Sequence, residues 1–338
     1  MCLKNARGTK RRRGNLPPFL YREGEGGVEI YFRGADGGDY ARIDSLVTVR
    51  ECAVRDTCGP RCDSLEIEFE NAAKWYAWGP KEDDEILIRQ DGYSTGIMFL
   101  NTIVPEDGRY RIMATALPCK ARRQEWKSYR NRTVEDILRS CATRTGMSFQ
   151  TFGMDAKAII PYIQQENESA AAFLRRFLEL EGAVLKCVNG NYTAIGLEYA
   201  QKRNAHQTIH INPAQRGTEY KRSGAKIRTV TVKTPYGEAT AVDLNAQSYH
   251  RDVTISQVPA MDDKQAGRWA RNILRSRNLE YETLTIESSF NPGMEAMTRV
   301  DITGDTLATG EWIITDAEHD LFNRKTRTAL KRCVDAIQ

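Results

Sequence analysis

The stretch from residue 159 to residue 195 constrains the fold more than any other, because it predicts three consecutive elements. Its central piece has an apolar stripe at the i, i+3, i+4, i+7 and i+8 spacing of an amphipathic helix. The stripe consists of Ala170, Phe173, Leu174, Phe177 and Leu178. Asn167 and Ser169 are both candidate N-caps, and Gly182 stands where a left-handed residue ends a helix. The sequence therefore predicts a helix that buries one face and ends near Gly182.

Extended chain flanks this predicted helix on both sides. Pro161 and the Tyr162-Ile163 pair favour a strand before it. After it, residues 184–188 and 192–195 flank Asn189 and Gly190. An Asn-Gly pair accepts the positive φ angles that a two-residue hairpin turn requires. The whole stretch is therefore predicted as strand, helix and hairpin.

Short strands are predicted before this stretch, between residues 28 and 118. Residues 65–69 alternate apolar and acidic side chains, which is typical of a half-buried antiparallel strand. Asp91 and Gly92 form a predicted turn, and apolar residues alternate again around Ile112. Strands at short regular spacing with turn residues between them predict one antiparallel sandwich or barrel.

Residues 119–205 mix helix and strand, and residues 206–338 return to strands. Thr133 and Asp136 resemble a capping box that opens one helix. Residues 227–233 alternate as a strand, and Asp262 opens a third helix. Trp269 and Trp312 lie in amphipathic stripes, which favours core positions for both.

A spaced pattern around the first stretch resembles a known family. The pattern consists of Asn167 to Ser169, Phe173 to Arg176, Glu181-Gly182, Leu185-Lys186 and Asn189-Gly190. It is similar to the late control protein D family, the baseplate hub proteins of contractile phage tails. These proteins are related to the hub part of type VI secretion spike proteins. The resemblance covers about residues 28–333.

The resemblance implies an α+β, mainly β fold, with two tube-type antiparallel β-barrel domains flanking a smaller α+β middle domain. A flexible basic N-terminal segment would occupy residues 1–27. The first barrel would span residues 28–118, the middle domain residues 119–205, and the second barrel, with one helix, residues 206–338. We call the last three the first β region, the middle region and the second β region.

The resemblance also implies a structural role without catalysis and without a cofactor. The hub would be a homotrimer whose two barrels per chain form a pseudo-sixfold ring, joining the sixfold tail tube to the threefold spike. The implied partners are further copies of the chain, the trimeric tail spike, the tail tube or a tube-initiator protein, and wedge and tape-measure proteins. DNA would be only cargo in the lumen. The implied location is the tail baseplate of a virion or tail-like particle, made and assembled in the bacterial cytoplasm. The alternative is a hub-associated tail protein that degrades the cell wall, since some tail proteins fuse a hub to a hydrolase.

Several other classes of function find no support in the sequence. No apolar run approaches the length of a membrane span, and no nucleotide-binding loop, zinc-protease helix or Gly-x-Ser-x-Gly elbow occurs. The net charge of +4 gives no indication of a nucleic-acid partner. The basic cluster between Lys4 and Arg13 reads as a solvated tail, because no aromatic residues interleave its charges. His206 and His210 stand four residues apart, but the alternation of residues 208–211 predicts a strand, which would separate their side chains.

The cysteines are the one unusual feature. Cys52, Cys58 and Cys62 fall close together in sequence, and Cys119 follows the last predicted strand of the same region. Three close thiolates and one distant thiolate could hold zinc or an iron–sulfur cluster, although the spacing matches no standard pattern. Two of these thiols could instead form a disulfide, and free thiols in a loop are the third reading. Trp75 and Trp78, beside a predicted turn, are candidates for an interface.

Overall fold

The computed structural model describes residues 27–59, 61–70, 79–106, 108–212, 217–224 and 226–338. Trp75, Trp78 and the predicted basic segment, apart from residue 27, lie outside these residues. The strands are β1 (Glu29–Arg33), β2 (Ala41–Arg42), β3 (Val49–Thr57), β4 (Ser64–Glu70), β5 (Glu85–Gln90), β6 (Tyr93–Ser94), β7 (Met98–Glu106), β8 (Arg109–Thr115), β9 (Gln124–Thr133), β10 (Ser148–Phe152), β11 (Ile159–Ser169), β12 (Ala183–Val188), β13 (Asn191–Gly196), β14 (Thr208–His210), β15 (Thr218–Arg222), β16 (Ile227–Thr234), β17 (Gly237–Val242), β18 (Arg251–Ile255), β19 (Glu282–Ser289), β20 (Arg299–Thr303), β21 (Gly310–Asp320) and β22 (Lys325–Arg332). The α-helices are α1 (Val134–Thr145), α2 (Ala170–Leu180), α3 (Leu197–Lys202) and α4 (Asp263–Asn278). The α+β, mainly β fold class is confirmed.

The largest layer is a 14-stranded sheet that contains strands from both β regions. Its main path runs β15-β19-β22-β21-β3-β4-β8-β7-β5-β1-β2, and β6, β14 and β20 branch from it. Neighbouring strands are antiparallel, except that β14 runs parallel to β20. Strand β3 begins at Val49, because Asp44–Leu46 before it forms a 3-10 turn.

Strand β21 connects the cores of the two β regions. Its first part pairs with β20, from Ile313 opposite Arg299, and its second part pairs with β3, from Asp316 opposite Thr57. A register shift against β22 separates these two parts. Trp312 lies in the core of the second β region, whereas Leu321, just after the strand, lies in the core of the first. The two β regions therefore share one strand.

The second β region also holds a layer that is separate from the large sheet. Strands β17, β16 and β18 form a three-stranded sheet, which packs against α4 around Val230, Val232 and Trp269. Alternation specifies which face of a strand is buried but not which sheet it joins, so this separate sheet could not be predicted from the local sequence. Trp269 and Trp312 are fully buried, as predicted.

The middle region forms its elements where the local signals predicted them. Thr133 and Asp136 make a reciprocal capping box at the start of α1. Ser169 is the N-cap of α2 and accepts a hydrogen bond from the Ala172 amide at 3.2 Å. Asn189 and Gly190 both have positive φ, +49° and +71°, between β12 and β13. The predicted strand, helix and hairpin are thus confirmed.

Candidate functional site

The structure distributes the four cysteines proposed as metal ligands among different surroundings. Cys52 is buried in the core of the first β region, and Cys62 packs against the core of the middle region. The Cys58 Sγ lies 3.6 Å from the Thr315 carbonyl oxygen. Cys119 lies near the surface, with its Sγ 3.0 Å from Glu82 Oε1. Within the described ranges, no three or more His, Cys, Asp and Glu side chains are grouped so that they could hold a metal ion.

Burial determines the ionisation of two of these thiols. It raises the pKa of Cys58 to about 12 and raises that of Cys52 beyond the usual range, so both are protonated at neutral pH. The seven cysteines in the described part of the chain are all free thiols.

The strand predicted at residues 208–211 is confirmed for residues 208–210, because β14 contains His210, and His206 precedes this strand. The sequence analysis did not single out His319, which is fully buried in β21. Its ring lies 4.7 Å from that of Tyr93, and its Nδ1 is 3.0 Å from Thr326 Oγ1. Burial lowers the pKa of His319, so the ring stays neutral at physiological pH.

A buried cluster of charges lies where β12 meets the first β region. The Lys186 ammonium in β12 pairs with Asp56 in β3 and stands 3.6 Å from Asp63 Oδ2. All three residues are less than 10% exposed. Asp63 also accepts a hydrogen bond from the Thr57 amide at 2.9 Å, and Asp56 accepts one from the Ala296 amide at 3.3 Å. We call Asp56, Asp63 and Lys186 the charge cluster; it links all three regions of the chain.

The electrostatics of the charge cluster follow from two carboxylates sharing one cation. Burial raises the pKa of Asp63 to about 7, with the Lys186 charge opposing the rise and the Asp56 charge adding to it. Burial alone would lower the pKa of Lys186, but the two neighbouring carboxylates raise it above its ordinary value. Lys186 is therefore charged at neutral pH, whereas Asp63 takes up a proton below about pH 7.

A second junction joins the end of α2 to α4. The Glu181 carboxylate accepts hydrogen bonds from Trp269 Nε1 at 2.7 Å and from Arg268 Nε at 3.0 Å. Gly182 has φ +71°, and a Cβ there would lie 2.5 Å from Asn272 Oδ1. Only glycine combines this backbone angle with so close an approach. Glu181 and Gly182 thus fix the middle region on the helix of the second β region.

The hairpin turn forms a third junction. The Ile97 amide donates to Asn189 Oδ1 at 3.2 Å, and a Cβ on Gly96 would lie 3.0 Å from the Asn189 Cβ. Residues 159–195 therefore contact the first β region through the turn and the charge cluster, and the second β region through Glu181. The pattern that carries the family resemblance contains the residues that hold the regions together.

A surface cleft lies beside α3. Gly153, Glu198, Tyr199, Lys202, Arg203 and Asn204 line it. Its one carboxylate, Glu198, pairs with Lys202 and lies 3.2 Å from Arg275. The hydrogen bond from Lys202 contributes most to lowering the pKa of Glu198, so this carboxylate stays ionised and is a poor proton donor.

The model of the phage tail baseplate hub (GPD) family matches residues 104–324, well over half of the chain. The chain belongs to the phage tail baseplate hub family. No curated protein sequence matches it. No helix in the described residues of this hub-family protein has the length and apolar character needed to cross a membrane.

Solved structures share the fold of this hub-family protein at low sequence identity. A tail protein from Neisseria meningitidis MC58 superposes with a TM-score of 0.70 at 12% identity, covering 90% of this chain and 97% of that one. The 43 kDa tail protein of prophage MuSo2 from Shewanella oneidensis gives 0.65 at 15% identity, covering 92% and 99%. A component of the type VI secretion system from E. coli gives 0.55 at 12% identity, covering 89% and 76%. The resemblance to phage tail hubs and to type VI secretion proteins is thereby confirmed.

Proposed function

We propose that this protein is the structural hub of a contractile-tail baseplate, three copies of which form a pseudo-sixfold ring. The ring joins the sixfold tail tube to the threefold spike. Strand β21 carries this proposal, because its pairing with both β3 and β20 holds the two β regions in a fixed relation. A pseudo-sixfold ring built from three chains requires each chain to hold its two β regions in such a fixed relation.

The proposal includes the partners that the family resemblance implies. One face of the ring would contact the tail tube or a tube-initiator protein, and the other would contact the trimeric spike. Wedge and tape-measure proteins would bind around it, and DNA would pass through the lumen as cargo. The proposed site of action is the tail baseplate of a virion or tail-like particle, after assembly in the bacterial cytoplasm.

The domain divisions at residues 28–118, 119–205 and 206–338 belong to the same proposal. The separate hydrophobic cores around β4, α2 and Trp312 support them. We also propose that the role requires no catalysis. The only carboxylate lining the cleft beside α3 is held ionised, which supports this view. Release of fragments from purified peptidoglycan by the protein would contradict it.

The test of the hub proposal combines negative-stain electron microscopy with the mass in solution. We expect rings with threefold or apparent sixfold averages and a mass near three times 38.3 kDa. A protein that stays monomeric when a trimeric spike is supplied would contradict the proposal.

A further inference from the structure

Polar groups bridge the separate hydrophobic cores of the middle region and the first β region. The Gly59 amide donates a hydrogen bond to the Leu185 carbonyl oxygen at 3.2 Å, and the next residue, Lys186, enters the charge cluster. The cores on the two sides are distinct clusters of buried residues. Contacts that bury little apolar surface can open while the cores beside them stay folded. The contact between β12 and the first β region can therefore open locally.

The charge cluster contains one more negative charge than it can neutralise. Asp56 and Asp63 supply two carboxylates, and within the described residues Lys186 is the only cation within 4 Å of them. An uncompensated charge in a buried site is costly, whereas a protonated carboxyl group is neutral and can donate a hydrogen bond. Uptake of one proton therefore makes the cluster neutral and favours the closed contact.

The other titratable groups around Asp63 keep their protons between pH 5 and pH 8. Burial raises the pKa of each of them, so none changes its charge in this range. They are the thiols of Cys58, Cys62 and Cys187 and the phenol of Tyr93. Asp63 is therefore the group whose ionisation changes the charge on its side of the cluster.

Two further groups face Asp56 from the second β region. Burial lowers the pKa of His319 in β21, so its ring is neutral. Partial burial raises the pKa of Glu295, the Asp56 charge adds to the rise, and the charges of Lys186 and His206 oppose it. Protonation of Glu295 on acidification would remove negative charge, as protonation of Asp63 does. The two carboxyl groups thus respond to pH in the same direction.

We propose that the charge cluster is a proton-dependent joint, in which a proton on Asp63 holds β12 against the first β region and its loss lets this contact open. The pKa of Asp63 is about 7 in the closed joint and returns toward its ordinary value of 3.8 when the joint opens to water. The preference for the closed form is therefore fully present below about pH 4 and is lost as the pH rises to 7. The inference concerns a single chain and does not rest on the proposed hub function.

The test measures hydrogen exchange at the Gly59 amide of the full-length protein between pH 5 and pH 8. Mass spectrometry with fragmentation to single residues gives the rate, which is divided by the intrinsic rate at each pH. For one proton with a pKa of about 7 in the closed form and 3.8 in the open form, this corrected rate should rise roughly 90-fold. Asp63→Asn keeps an acceptor for the Thr57 amide but cannot ionise, so it should lose most of the rise.

Two more variants separate the joint from general effects of charge. Asp56→Asn removes a charge that raises the pKa of Asp63, so the rise should be smaller and should end at a lower pH. Asp252→Asn is the matched control, because Asp252 pairs with Arg228 in the small sheet, outside the charge cluster. This control should keep the full rise. Circular dichroism establishes that each variant is folded.

Urea below the unfolding transition separates local opening from global unfolding. The rate of an opening increases with urea in proportion to the surface that the opening exposes. Urea should therefore accelerate exchange at the Leu174 and Phe177 amides of α2, which lie in the core of the middle region, much more than exchange at Gly59.

Three results would overturn the inference. One is a corrected Gly59 rate that does not change between pH 5 and pH 8. Another is a rise in Asp63→Asn as large as that of the wild type. The third is an equal response of the Gly59 and α2 amides to urea, which would assign the exchange to global unfolding. Electron microscopy of rings at both pH values reports on the hub proposal independently.

Discussion

Replacement of Lys186 by methionine tests whether the charge cluster holds the regions together. The substitution keeps most of the side-chain volume and removes only the ammonium. Within the described residues, Lys186 is the only cation within 4 Å of Asp56 and Asp63. Its loss leaves two carboxylates buried side by side without a counter-charge. Breaking a buried pair in this way typically costs about 3–5 kcal/mol.

The pH dependence of this loss gives the prediction a second, independent readout. In the variant, Asp63 can relieve the repulsion by taking up a proton, and its pKa is already about 7 in the native cluster. The loss of stability should therefore be largest near pH 8 and smaller near pH 5. A packing defect alone would be nearly independent of pH.

The assay is urea-induced unfolding followed by circular dichroism at both pH values. Lys202→Met is the matched control, because Lys202 is exposed and pairs with Glu198 only on the surface. Such a pair contributes at most about 1 kcal/mol. Adding Asp56→Asn to Lys186→Met should recover part of the stability. A loss no larger than that of Lys202→Met, or one that is the same at pH 5 and pH 8, would refute the reasoning.

The remaining predictions concern other parts of the junctions. Gly182→Ala should lower the free energy of unfolding by about 1–3 kcal/mol, because the new side chain meets both a left-handed backbone angle and the close approach of Asn272. Gly190→Ala, which has open space around it, should lower the free energy of unfolding less in the same urea titration. Because the folded pKa of Asp63 is raised to about 7 from an ordinary value of 3.8, native protein binds the extra proton between these values. The contribution of this bound proton to the free energy of unfolding should be fully present below about pH 4 and should fall by roughly 4 kcal/mol as the pH rises to 7. The stability difference between wild type and Asp63→Asn, measured across this range, should follow that fall, and a flat difference would exclude it. Anaerobically purified protein should contain no zinc or iron, and EDTA should leave its Tm unchanged. If the protein held one equivalent of either metal, and a variant with serine at Cys52, Cys58, Cys62 and Cys119 lost it, the different surroundings assigned to these cysteines would be contradicted.

Elements with local causes could be predicted from the sequence. Helix α2 follows from its apolar spacing and the Ser169 cap, and the hairpin follows from Asn189 and Gly190, whose backbone angles few other residues adopt. The tryptophans of the second β region could be assigned to the core because their neighbours repeat at helical or strand spacing. In each case the cause lies within a few residues of the element.

Long-range pairings could not be predicted in the same way. Nothing near Asp316 indicates that it stands opposite Thr57, because a strand edge pairs with any edge of suitable register. The neighbours of Lys186 in sequence did not indicate its buried partners either, since a lysine between two apolar strand residues normally points to solvent. Here the first β region covers that face, and the ammonium meets two aspartates instead. The three readings of Cys52, Cys58, Cys62 and Cys119 could not be separated for the same reason, because closeness in sequence does not specify which core each side chain enters.

Strand β21 also determines how the protein responds to mechanical load. Its backbone runs from the core of one β region into that of the other, so tension between them passes through covalent bonds. The hydrogen bonds of an antiparallel ladder lie perpendicular to the strands. A pull along β21 therefore loads the ladder to β3 in shear, with its bonds strained together, whereas a pull across it opens them one at a time. The joint is stiffest along the line of this strand.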